Sequence, residues 1–96
     1  MRRLSEARLD ELLRALAHPD RRRFLRACRR EPVSAGDLAE TSALALASVS
    51  EHLKVLRKTG LLVLEKQGRF RLYRADLTML RRVIEALNKL EDTHGA

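Results

Sequence analysis

The residues best equipped for chemistry lie between Leu46 and Arg71, and what they suit is the capture of anions. In the stretch from Leu46 to Lys58, Val49, Leu53 and Leu56 recur at the period of one buried helical stripe. Ala47, Ser50, Glu51, Lys54 and Lys58 then point away from that stripe, with Ser48 and Arg57 on its flanks and Leu46 at the helix start. Small side chains at a helix N-terminus permit close approach to a groove, hydroxyls bond base edges or phosphates, and the helix end itself favours phosphate. Glu51 is an unusual neighbour for a polyanion, but a carboxylate accepts from a cytosine amino group. His52 sits beside the buried stripe, where a packed, hydrogen-bonded imidazole is the plainer reading and a phosphate contact the second. A further cationic set, Lys66, Arg69, Arg71 and Arg74, surrounds the turn signal Gln67-Gly68. Cations on a narrow hairpin reach a minor groove or flanking phosphates. A charged edge strand guarded against aggregation is the alternative.

The elements that must hold these residues are mostly helical. Leu9, Leu12, Leu13 and Leu16 recur at helical spacing after Ser5, a suitable N-cap, which predicts a first helix from about Ser5 to Ala17. Pro19 ends that helix and opens a second, which carries Phe24, Leu25 and Cys28 inward and stops before Glu31-Pro32. Val33 is a brief extended piece, and Ser34-Ala-Gly-Asp37 reads as a capping box for a short third helix with Leu38 and Ala39 inward. Residues 42–45 turn into the helix described above, and Gly60 suits the left-handed residue that closes it. The period then changes to two. Leu62 to Glu65 and Phe70 to Arg74 form the strands of a hairpin, with Phe70, Leu72 and Arg74 on one face and Arg69, Arg71 and Tyr73 on the other. A last helix starts after Asp76 and carries Leu77, Leu80, Val83, Ile84, Leu87 and Leu90. The expected fold is mainly α with a small β-hairpin: one winged helix-turn-helix domain of about five helices and a two-stranded wing. Residues 34–59 form the helix-turn-helix and 61–75 the wing, 1–17 and 76–92 are dimerisation helices, and a disordered tail covers 93–96.

Composition agrees with that assignment. The chain has 96 residues, 45% hydrophobic and only 3% aromatic, so Leu, Ala and Val must build the core. A domain this small hides about two-thirds of its unfolded surface. The apolar stripes of the first and last helices therefore predict a homodimer through Leu9, Leu12, Leu13, Leu16, Leu80, Val83, Ile84, Leu87 and Leu90. Twenty Lys and Arg against thirteen Asp and Glu give a net charge of +7. That excess attracts polyanions, of which duplex DNA is the commonest. One cysteine excludes an internal disulfide framework, and charges interrupt every apolar run, so neither signal peptide nor membrane span is expected. A cytoplasmic protein follows. There is no nucleophile–base set, phosphate loop or paired acid cluster, so an enzyme is not expected.

The run LLRALAHPDRRRFLRACRREPVSAGDLAE, then SVSEHLKVLRKTGLL, then a basic hairpin ending FRLYRA, resembles the ArsR-type winged-helix repressors over Leu12 to Ala75. The resemblance implies a homodimer paired through its first and last helices, two recognition helices in successive major grooves, and a roughly palindromic operator. The family's metal sites do not carry over. The cysteine pair of one falls on Ser34 and Gly36, and the acid and histidine ligands of another fall on Asp76, Thr78, Lys89 and Asp92. His18, His52, His94 and Cys28 show no ligand spacing, so no metal or other cofactor is expected and the inducer is unidentified. Ala43, Ala45 and Leu46 replace the usual turn and cap residues, as in a branch of the family that often lacks metal sites. Cys28 reads as a small core hydrophobe rather than a redox sensor. The alternatives are a metal-responsive repressor with non-standard ligands, or a winged helix that docks a protein.

Overall fold

The computed structural model describes residues 3–92, so the expected tail at 93–96 lies outside the described residues. The chain order is α1 (Glu6–Leu16), α2 (Pro19–Ala27), β1 (Val33–Ser34), α3 (Ala35–Glu40), α4 (Leu46–Lys58), β2 (Leu62–Gln67), β3 (Phe70–Ala75) and α5 (Leu77–Asn88).

Local chemistry sets most boundaries. Ser5 Oγ accepts from the Arg8 N–H at 3.1 Å and opens α1. Pro19 occupies the first turn of α2, where an N–H would go unpaired. Ser34 Oγ accepts from the Asp37 N–H at 3.1 Å, the hydroxyl half of the expected capping box. Asp76 Oδ1 accepts from the Met79 N–H at 3.1 Å and starts α5. At the end of α4, Gly60 has φ +83°, its N–H reaches the Arg57 carbonyl at 3.0 Å, and the Leu61 N–H reaches Leu56 at 2.9 Å. Those two bonds form a Schellman closure, which turns the chain sharply out of α4 and into β2.

The core gathers Leu12 and Ala15 of α1, Phe24 and Leu25 of α2 with Cys28, Leu38 of α3, Val49, Leu53 and Leu56 of α4, Leu61 and Leu62, and Val83 of α5. Every helix contributes, and α4 packs along its inner side against α2, α3 and β2.

The expected two-stranded wing is present, and the brief extended piece at Val33 joins it, since Val33 and Ser34 pair with Tyr73 and Leu72 in a three-stranded antiparallel sheet of order β1-β3-β2. Three expectations need correction. The hairpin turn is Gly68-Arg69 rather than Gln67-Gly68, since Gln67 pairs directly with Phe70. Gly68 has φ +63° and, among the described residues, no non-glycine residue has positive φ, the pattern of a II′ turn that matches strand twist. Arg69 consequently sits in the turn rather than on the strand face of Arg71 and Tyr73. The last helix ends at Asn88 instead of 92: Leu90 and Glu91 donate three residues back, to Leu87 and Asn88, and the final turn tightens. Finally, Leu12 and Val83 are buried within the protomer, so neither offers surface to a partner.

Candidate nucleic-acid interface

Because Val49, Leu53 and Leu56 are consumed by the core, the opposite side of α4 stays free. Leu46, Ala47, Ser48, Ser50, Glu51, Lys54, Arg57 and Lys58 are all exposed. The helix start is small and uncrowded: Ala45 takes the N-cap position and supplies no side-chain hydrogen bond. Arg57 and Lys58 lie in the last turn, where cations also complement the helix dipole.

His52 is half-buried on the α2 side of α4. Its Nδ1 accepts from Arg21 Nε at 3.0 Å, and its ring lies 5.8 Å from that of His18 and 6.5 Å from that of Phe24. Burial lowers its pKa, with the Arg21 guanidinium and His18 acting in the same direction and Asp20 opposing them. The imidazole therefore works as a neutral acceptor that ties α4 to α2, the packed role expected of it. Arg21 is the partner that sequence reasoning overlooked. A signal was present: Arg21 precedes Phe24 by three positions and Cys28 by seven, so it shares their inward stripe and needs an acceptor there.

On the wing, Lys66, Arg69 and Arg71 are exposed. Lys66 and Arg71 stand directly opposite one another across β2 and β3. Cross-strand like charges repel, so this pair weakens the hairpin by itself. Arg74 differs from its neighbours. It forms an ion pair with Glu65 and so contributes less free positive charge. Phe70, 63% exposed, leaves an aromatic ring beside the turn. The wing is fixed at its base by two backbone bonds, from Asp76 to the Leu61 carbonyl at 2.9 Å and from Ala75 to the Cys28 carbonyl at 3.1 Å.

The remaining sequence-predicted residues occupy the other side of the molecule. Leu9, Leu13, Leu16 and Leu80 are half-buried, while Ile84, Leu87 and Leu90 are 47%, 41% and 82% exposed. Burial raises the Cys28 thiol pKa to about 11, and the side chain lies within the core. Among the described residues, no group of three His, Cys, Asp or Glu side chains is placed to hold a metal ion. No helix among them is long and apolar enough to cross a membrane.

Comparison with known proteins agrees with this geometry. A family model described as a helix-turn-helix domain matches residues 16–65. The chain is 39% identical over 67 residues to the HTH-type transcriptional regulator NmtR of Mycobacterium tuberculosis, a match covering 70% of this chain and 56% of NmtR. The matched region thus spans little more than half of that relative. It is 28% identical over 72 residues to the transcriptional repressor SdpR of Bacillus subtilis, covering 75% of this chain and 80% of SdpR. Among solved structures, an ArsR-like transcriptional regulator from Rhodococcus sp. RHA1 superposes with a TM-score of 0.79 at 28% identity, over 88% of this chain and 79% of that one. A homodimeric winged helix-turn-helix DNA-binding domain from Mycobacterium bovis shares the fold at 18% identity, with a TM-score of 0.72 over 98% of this chain and 95% of that one. With the family match, the five-helix order and the wing in agreement, the chain belongs to the ArsR-type family of winged helix-turn-helix transcriptional regulators.

Proposed function

We propose that the chain is a homodimeric repressor that lays α4 in the major groove of a palindromic operator and the wing on flanking DNA. The observation that carries this reading is the cross-strand pair Lys66 and Arg71. Two like charges held face to face cost stability, and a phosphate backbone beside them offsets that cost. The exposed serines, Lys54, Arg57 and Lys58 on α4 extend the same cationic surface to a helix of the right size for the groove. In this reading Leu46, Ala47, Ser48, Ser50 and Glu51 face base edges, while Lys54, Arg57, Lys58, Lys66, Arg69 and Arg71 hold phosphates. His52 positions the helix.

The dimer reading rests on Ile84 and Leu87 of α5 and Leu90 just past its end, apolar side chains left uncovered, with Leu9 of α1 lining the same surface as Leu90. The related SdpR is named a repressor, and the M. bovis neighbour is homodimeric. Both support this assignment. The protein is read as cytoplasmic and non-enzymatic, with duplex DNA and a second copy of itself as partners.

Fluorescence anisotropy with duplex DNA from upstream of its own gene, titrated across salt concentrations, tests the interface. The logarithm of affinity should fall linearly with the logarithm of salt concentration, and Lys54→Ala, which removes one phosphate contact from each protomer of the dimer, should reduce that slope by about two. A salt-independent affinity, or an unchanged slope in the variant, would count against it.

A further inference from the structure

A second surface, away from α4, has a composition suited to a small ligand. Between α2 and α5 lies a groove of about 250 Å³. Its floor is apolar, formed by Leu25, Ala75 and Leu77 together with Leu16 and Leu80, which the sequence places at the dimer interface and which line this groove within the protomer. Arg22, Arg26 and Arg29 stand around its mouth.

Arg22 and Arg26, four residues apart, share one side of α2, and Arg29 follows just past its C-cap Cys28. That side is roughly 100° around the helix from Arg21, which faces α4. The groove cations therefore do not belong to the recognition surface. Like charges one turn apart repel, and such rows are usually relieved by carboxylates. Elsewhere on this helix the relief is present: Arg23 pairs with Asp20 at 3.0 Å and Arg21 donates to His52. On the groove side Arg22 donates to the Leu16 carbonyl at 2.6 Å, and among the described residues neither Arg26 nor Arg29 has an acidic partner. The nearby Asp76 carboxylate is turned to the Met79 N–H.

We propose that this groove binds a small apolar carboxylate, its hydrocarbon body on the leucine floor and its carboxylate held by Arg26 and Arg29. Guanidinium forks match carboxylates in geometry and charge. The volume falls just under the range of about 300–1,000 Å³ typical of drug-sized ligands, so the occupant is a single ring or a medium-length chain. The position gives such a ligand leverage. Ala75 ends the wing and Leu77 begins α5, so an occupant would sit where the two candidate interfaces, to DNA and to the partner subunit, join.

Titration of the isotope-labelled full chain with octanoate, followed by amide NMR shifts, tests the site without any DNA. Saturable shifts are expected at Leu25, Ala75, Leu77 and Leu80. Octanol and octylamine should bind at least tenfold more weakly, and inorganic phosphate should leave the floor residues unmoved. The Arg26→Glu, Arg29→Glu double variant changes only exposed side chains and should keep the spectrum of a folded protein while losing roughly tenfold or more in octanoate affinity. No saturable shifts, equal binding of octanol, equal binding by the double variant, or shifts reproduced by phosphate would each overturn the proposal.

Discussion

Lys66 and Arg71 set stability against binding. Because they oppose each other across the wing, replacing Arg71 with Thr should raise thermal stability slightly, by a few tenths of a kcal/mol, while weakening DNA binding. Parallel melting and anisotropy measurements check both signs, and a variant that loses both would show the pair to be structural. His52 gives a second residue-scale prediction. Its folded pKa lies below its unfolded value, so the folded state disfavours the imidazolium. The contribution of His52 to stability should be constant above about pH 7 and fall as acidification passes the unfolded pKa of roughly 6.5 towards the lower folded one. His52→Gln, which retains an acceptor for Arg21, should flatten that step in a series of melts. Cys28, with its thiol pKa near 11 and its side chain buried, should resist alkylation at neutral pH until the protein unfolds. At this scale the sequence was informative wherever a side chain's role follows from the helical period. Val49, Leu53, Leu56, Cys28 and the outward row on α4 were all legible. Pairings between distant segments were not. That Arg74 is partnered by Glu65 while Lys66 faces Arg71 depends on hairpin register, and the register was fixed only once Gly68 was seen to lead the turn.

Element boundaries divide along similar lines. Ser5, Pro19, Ser34, Gly60 and Asp76 act through contacts within a few residues, so the starts of α1, α2, α3 and α5 and the end of α4 could be read directly. β1 could not be assigned a partner from sequence, because its bonds go to Tyr73 and Leu72, some forty residues away along the chain. The end of α5 was overestimated because the apolar period continues to Leu90 after the hydrogen bonding has tightened. α4 begins without a side-chain cap at Ala45. Ala45→Ser should supply one and stabilise the domain by about 1 kcal/mol, which for a chain of this length is roughly 4–8 °C in Tm. Calorimetry would show it. An unchanged Tm would mean that the N-terminal turn of α4 is already satisfied in another way.

Across the whole molecule, the Cα radius of gyration is 14.7 Å, above the roughly 12.5 Å expected of a compact domain of this length. The long dimension is 50 Å. An elongated protomer with an uncovered apolar row on α5 and a cationic face on α4 and the wing is suited to pairing on one side and reading on the other. Ile84→Glu should therefore yield monomers in sedimentation velocity without unfolding the protomer, since Ile84 lies outside the core. Half-site binding alone should leave its DNA affinity lower by an order of magnitude or more.

The central claim is that two copies of α4 read duplex DNA together. The direct measurement is repeated selection by the purified protein from a random duplex library. The account predicts enrichment of an inverted repeat whose half-site centres lie about 10–10.5 base pairs apart, the spacing of two-fold-related recognition helices. A library that stays random, or an enriched single half-site bound by one protomer, would contradict it.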